Sequence, residues 1–318
     1  MSTSDFVETG TAGAVVVGVT GPGRETAALR FAVAVARREE LEVVLVHAFR
    51  TALPAPPQAA LVSYAATADV AEWVVKEVEE ELAGLTGGRV RFRSITVAGA
   101  PARVLADLSR GARVVVLQHR TDHAAGRLFT GSTVTGTATH AHCPVVSVPA
   151  DWEAPVGDEP GEVVVGVHEG GLPRPVLAAA YDWAEATAAD LRVVHAWRLD
   201  PAYDDIITAR VAGEWNHTRR EALAAAVTAL GAAHPGVRVT LEVRHQYPPE
   251  VLVEESRSAS LVVLGRRGPH LWPGEHLGSL ARTVLRAAHG PVMVVPVARH
   301  DESPRDWDLL ADEVSPQA

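Results

Sequence analysis

The sequence contains itself twice. AVVVGVTGPGRETAALRFAVAVA at 14–36 matches EVVVGVHEGGLPRPVLAAAYDWA at 162–184, and VVLVHAF at 43–49 matches LRVVHAW at 191–197. GAPARVLADLSRGARVVVLQHR at 99–120 matches QYPPEVLVEESRSASLVVLGRR at 246–267, and HCPVVSVP at 142–149 matches HGPVMVVP at 289–296. The offset is 148 between His47 and His195 and 147 between Pro144 and Pro291. So constant an offset over four separated blocks marks a duplicated domain, and it is too long for a solenoid unit. The copies span 12–150 and 160–298. ADWEAPVGDEPG at 150–161 reads as the linker between them, and 299–318 as an acidic C-terminal tail.

Within each copy, short β-branched runs alternate with longer helical stretches. The runs in the first copy are Ala14–Val19, Leu41–His47, Val90–Val97, Arg113–Leu117 and Val145–Val148. In the second they are Glu162–Val167, Leu191–His195, Val237–Val243, Leu261–Leu264 and Val292–Val295. Most are continuously apolar, as parallel strands covered on both faces must be. Between them lie amphipathic stretches such as Val70, Val74, Val78 and Leu82, and the alanine-rich Glu221–Ala233. The alternation predicts an α/β fold of two tandem doubly wound domains, each a parallel sheet flanked by helices. Ligands of such sheets sit beyond the carboxyl ends of the strands, where the strand order switches direction.

Composition sets the outer bounds. A chain of 318 residues with 47% apolar and 21% charged residues is long enough for two packed domains. No apolar run reaches the roughly 18–20 residues of a membrane span, and the N-terminus lacks the pattern of a secretory leader. These features predict a cytoplasmic protein without a membrane partner. The net charge of −10 argues against nucleic acid as a partner. Cys143 is the only cysteine and reads as a small buried hydrophobe. Lys76 is the only lysine among 29 basic residues, so a lysine-dependent phosphate site lacks a candidate.

The segment richest in chemistry follows the fourth strand of the second copy. Gly265-Arg266-Arg267-Gly268 is followed by nine residues, then Gly278-Ser279 and a helical stretch over Leu280–Ala288. Glycines allow close approach of the backbone to a ligand. A helix that opens at Gly278-Ser279 presents free N–H groups to an anion, Ser279 adds a hydroxyl, and Arg266 and Arg267 add charge. The bland reading is that Ser279 merely caps its helix and the glycines merely turn the chain.

The G-x2-G-x9-G-S pattern in a duplicated α/β chain resembles the universal stress protein family, as a tandem, two-domain member. The resemblance covers roughly 12–150 and 160–298. It implies five-stranded parallel sheets of the adenine nucleotide α-hydrolase-like type, pairing of domains through their last strands, and a role in stress survival rather than a defined catalytic reaction. In nucleotide-binding members this pattern holds the phosphates and ribose of ATP, with Mg²⁺ accompanying it. Carried over to this chain, the pattern gives Val167, His168, Val193, Leu264, Gly265, Arg267, Gly268, Gly278, Ser279 and Leu280 as nucleotide-binding residues. His47 and His195, at the ends of the second strands, are at most lining residues.

The two copies depart from the family pattern unequally. Nucleotide-binding members place an aspartate at the end of strand one, where this chain has Thr20 and His168; neither supplies a carboxylate. The first copy also replaces the leading glycines by Gln118 and Thr121, and Gln246 stands in the second copy where the first has Gly99. A weaker first-copy site of Thr20, Gly131, Ser132 and Thr133 is left for a smaller anion. The pattern thus predicts an adenine nucleotide, ATP first, held by the second copy in a sensing or regulatory role. The alternative is a scaffold that binds no nucleotide and acts through self-association or partner docking.

Other signals are weaker. Gly18-Val19-Thr20-Gly21-Pro22-Gly23 has neither P-loop nor dinucleotide spacing. The histidines of His140-Ala141-His142-Cys143 diverge at a helix end and have no second ligand cluster, so no metal site is expected. No nucleophile–base set or G-x-S-x-G elbow appears, so no catalytic residue is assigned, and hydrolysis of ATP would be weak at most. The last strands of the two copies would be exposed edges if unpaired, which favours an internal pseudo-dimer or a homodimer. Trp307, Leu309 and Leu310 in the tail lie in a charged frame. They read as part of a solvated segment or as a docking element.

Overall fold

The computed structural model describes residues 10–50, 57–119, 130–154, 161–167, 173–199, 204, 207–266 and 277–297, with backbone alone for 57–67 and 130–132. The chain divides into two units, the first ending at Pro155. Unit 1 runs β1 (Val15–Gly18), α1 (Thr26–Glu39), β2 (Val43–Phe49), α2 (Pro57–Thr86), β3 (Phe92–Ala98), α3 (Pro101–Leu108), β4 (Val114–His119), α4 (Thr130–His140) and β5 (Val145–Pro149). Unit 2 runs β6 (Glu162–Val167), α5 (Arg174–Thr187), β7 (Asp190–Trp197), α6 (Ala209–Gly231), β8 (Val239–His245), α7 (Pro248–Glu255), β9 (Leu261–Gly265), α8 (Ser279–Ala287) and β10 (Val292–Val295).

Within unit 1 the strand order is β3-β2-β1-β4-β5, and within unit 2 it is β8-β7-β6-β9-β10. Neighbouring strands within each unit are parallel, with Val15 opposite Val43 and Val114 in unit 1, and Val163 opposite Leu191 and Leu261 in unit 2. All ten strands coincide with runs read from the sequence, shifted by at most two residues at an end. Their valines and leucines form the cores. Val15, Val16, Val17, Val163, Val164 and Val165 are all fully buried.

The duplication preserves small packing devices. A Cβ on Gly18 would lie 2.6 Å from Leu117 and 3.1 Å from Leu105, and on Gly166 it would lie 2.7 Å from Leu264 and 2.9 Å from Leu252. Strand one therefore needs glycine at this point in both copies, because the third helix and fourth strand close over it. Ser109 Oγ accepts the His142 N–H at 2.8 Å, and Ser256 Oγ accepts the His289 N–H at 2.9 Å. The His140–Cys143 stretch is thus tied by its backbone. No group of three potential metal ligands occurs among the described residues. Cys143 is buried, and burial pushes its thiol up to about 12.

One expectation needs correction. The apolar stripe of α2 is Ala71, Val74, Val75, Val78 and Leu82, all buried, whereas Val70 is 60% exposed beside the exposed Trp73. A strict four-residue spacing drifts by about 40° per step around a 3.6-residue helix, so it cannot stay on one face from Val70 to Leu82. Among the described residues, no helix is long and apolar enough to cross a membrane.

Candidate functional site

Each unit has one place where its helices part. The first strand hands the chain to a helix on one face of the sheet, and the adjacent fourth strand hands it to a helix on the other. In unit 1 this switch point lies between β1 and β4, and in unit 2 between β6 and β9. A crevice at the carboxyl ends of these strands follows from topology alone.

In unit 2 the crevice is bounded by the end of β6 at Val167, the end of β9 at Gly265 and the start of α8. Gly278 occupies the N-cap position, and no side chain caps the helix. Ser279 is therefore the first helical residue and not the cap, which sets aside the bland reading of its hydroxyl. The first intrahelical bond runs from the Arg282 N–H to the Gly278 carbonyl at 3.0 Å, so the N–H groups of Ser279, Leu280 and Ala281 precede the ladder. Ser279 is exposed, and Gly278 and Leu280 are half-buried. A helix start with free N–H groups and a hydroxyl suits an anion.

Gly265 has a second reason to be glycine. A Cβ there would meet Val176 Cγ2, in the first turn of α5, at 3.0 Å. Val193 and Leu264 are fully buried, so their side chains belong to the core and only their backbone can reach the crevice. Val167 is buried too, and its carbonyl pairs with His195 Nδ1 at 3.2 Å. His168, Arg267 and Gly268 lie outside the described residues, as does most of the nine-residue stretch before Gly278.

In unit 1 the same strand end carries a side chain. Gln118, which stands where unit 2 has Gly265, reaches across to the start of α1. Its Oε1 accepts the N–H groups of Ala27 at 3.0 Å and Ala28 at 3.2 Å, and its Nε2 donates to the Arg24 carbonyl at 2.5 Å. Thr20 donates its hydroxyl to Glu25 Oε1 at 2.5 Å, and the Gly21 N–H reaches Glu25 Oε2 at 3.4 Å. The end of strand one thus does hold a carboxylate, supplied by Glu25 rather than by the residue at position 20. Burial raises the Glu25 pKa above the usual carboxylate value, with the bond from Thr20, those from the backbone and the charge of Arg24 opposing it. Glu81, from α2, accepts the Gly23 N–H at 2.8 Å and the Thr26 hydroxyl at 2.5 Å. His47 Nδ1 lies 2.9 Å from the Val19 carbonyl, as His195 does with Val167.

The weaker first-copy set divides accordingly. Thr20 is committed to Glu25, while Gly131, Ser132 and Thr133 fall inside the first turn of α4. Gln118, by sequence a lost glycine, caps α1 in the structure, and Glu25 and Glu81 join it although no motif marks them. The available signal was that Glu25 is the only acidic residue in the loop before α1.

The universal stress protein family model matches this chain twice, over residues 12–149 and 161–296. A universal stress protein of Mycolicibacterium smegmatis is 29% identical over 307 residues, covering 91% of this chain and 99% of that protein. One from Mycobacterium tuberculosis is 28% identical over 291 residues, covering 88% and 95%. In fold, the chain resembles a universal stress protein from Archaeoglobus fulgidus, with a TM-score of 0.64 at 16% identity over 91% of this chain and 98% of that one. Two matches of one family model, one to each copy, agree with the repeat, the parallel sheets and the switch-point crevices: the chain belongs to the universal stress protein family, in tandem form.

Proposed function

We propose that unit 2 binds an adenine nucleotide, ATP in particular, and that the protein acts as a sensor or regulator rather than as a catalyst. The observation that carries this reading is the start of α8. It opens at Gly278 with no side-chain cap, at the switch point, beside a strand end that Gly265 leaves without a side chain. Such a start fits phosphate oxygens, which would take the N–H groups of Ser279, Leu280 and Ala281 and the Ser279 hydroxyl. The spacing places Arg267 and Gly268 in the same loop, and Val167 and His168 at the end of strand one. Mg²⁺ would accompany the nucleotide. Unit 1, with Gln118 and Thr121 in place of the two leading glycines, takes no ATP on this reading.

Calorimetric titration of the full chain with ATP tests this reading. The expected result is one site per chain in the wild type, weakened in Ser279→Ala and lost in Gly268→Leu. No heat in the wild type, or two equivalent sites, would overturn it. The competing scaffold reading draws on the absence of a strand-one aspartate at His168. ATP co-purifying with the wild type but not with Gly268→Leu counts against that reading.

A further inference from the structure

We infer that unit 1 carries its own occupant: Gln118, with Glu25 and Glu81, holds the loop between β1 and α1 shut across the crevice, so that this copy keeps its closed form without a ligand. Three side chains from three parts of the unit converge on Thr20–Ala28. Glu25 comes from the loop, Glu81 from α2 and Gln118 from β4. Together they satisfy the N–H groups of Gly21, Gly23, Ala27 and Ala28, the hydroxyls of Thr20 and Thr26, and the Arg24 carbonyl. Two of those N–H groups open α1, and a helix start of this kind attracts an acceptor. The Gln118 amide oxygen takes that role, and its NH₂ group anchors the preceding turn.

The second observation is a correlated difference between the copies. Positions 147 or 148 residues further on hold Pro173 for Glu25 and Gly265 for Gln118. Neither can make its counterpart's contacts, because proline and glycine have no polar side chain. The packing changes in step, because Ala28 faces Gln118 in unit 1 where Val176 faces Gly265 in unit 2. These two anchors are present together in one copy and absent together in the other, as expected of a device that works as a set. The inference stands apart from the nucleotide reading and holds whether or not unit 2 binds ATP.

Amide hydrogen exchange on the full chain, first without nucleotide, tests it. In the wild type, Gly21, Gly23, Ala27 and Ala28 should exchange slowly. Gln118→Ala should speed exchange at Ala27 and Ala28 by about tenfold, the effect of losing a net hydrogen bond. Gln118→Glu keeps the acceptor and should retain most of that protection. Glu81→Ala, a second variant remote from the sheet, removes the acceptor and should speed exchange at Gly23. Added ATP should leave residues 20–28 unchanged in the wild type. Free-peptide rates there without ligand, slowing by ATP, or unaltered rates at Ala27 and Ala28 in Gln118→Ala would each overturn the inference.

Discussion

At the end of the fourth strand, unit 1 has Gln118 tied to the first turn of α1, and unit 2 has Gly265 with Val176 close against it. Around this point the copies agree where the frame needs it. Gly18 and Gly166 let leucines close over strand one, Ser109 and Ser256 hold the same backbone N–H, and His47 and His195 face the same carbonyl. They differ where the crevice would meet a ligand. At this end of the sheet the copies share these packing residues and differ at Gln118 and Gly265. A second divergence lies at the outer strands. Unit 1 has Val44, Ile95, Val97 and Leu108 where unit 2 has Arg192, Glu242, Arg244 and Glu255. In unit 2, Arg192 pairs with Glu162 at 2.6 Å and Glu255 at 2.5 Å, and Arg244 with Glu242 and Glu255 at 2.7 Å each.

The largest expected effect that breaks the likeness is at Trp197, whose counterpart is Phe49. Trp197 is fully buried, stacks on His245 at 4.2 Å, lies under Arg219 at 4.5 Å and donates to Asn216 Oδ1 at 2.6 Å. Trp197→Ala should cost about 3–5 kcal/mol by opening a cavity. Trp197→Phe, which copies unit 1, should cost about 1 kcal/mol. Urea unfolding followed by a unit 2 probe measures both, and equal costs would mean that the contacts only Trp makes, the bond to Asn216 among them, outweigh apolar volume.

Next comes the ionic set. Arg192→Val should cost about 2 kcal/mol, less than a fully buried pair, because Arg192 is 22% exposed while Glu255 is only 6% exposed and keeps Arg244 alone. Replacing all four positions with the unit 1 residues should recover most of that loss, since no buried charge is stranded. A quadruple variant no more stable than Arg192→Val would show that the two outer strands are not interchangeable. An effect of similar size, about 1–3 kcal/mol, is expected for Gly290→Cys. Unit 1 accommodates Cys143 at this position, but a Cβ on Gly290 would lie 2.5 Å from the Ser256 carbonyl oxygen. Thermal unfolding of Gly290→Cys against Cys143→Gly reads the asymmetry directly.

These contrasts explain what the sequence could disclose. Strands were legible because a parallel sheet covered on both faces demands unbroken valine and leucine runs, and the second copy repeats each of them. Val70 misled because four-residue spacing follows a helix face for only two or three steps. The start of α8 was legible from Gly278-Ser279, although the choice between cap and first residue needed the backbone. The closure of unit 1 was not legible. It depends on Glu81 and Gln118 meeting a loop 55 to 94 residues away in the chain, and no local pattern encodes such a meeting. From sequence alone Gln118 registers as a glycine lost, and only the fold shows what its side chain gained.

The smallest predicted effect sharpens the contrast at its centre. Glu25 is buried where unit 2 has Pro173, and its pKa is raised by that burial despite the opposing bond from Thr20. A carboxyl whose pKa is higher folded than unfolded binds its proton more readily in the native state. The native state therefore gains stability relative to the unfolded chain as pH falls through the window just above the ordinary value of 4.5, and loses it as pH rises through the folded pKa. Glu25→Gln removes this titration while keeping an acceptor for Thr20. The stability of the wild type relative to Glu25→Gln should accordingly rise on acidification from pH 7 to pH 4, approximately the range in which a raised glutamate titrates. Chemical unfolding of both proteins across that range provides the measurement. The opposite slope would mean that Thr20, Gly21 and Arg24 outweigh burial and hold Glu25 ionised. The first unit would then lose stability in acid, whereas the predicted slope has it gain stability there.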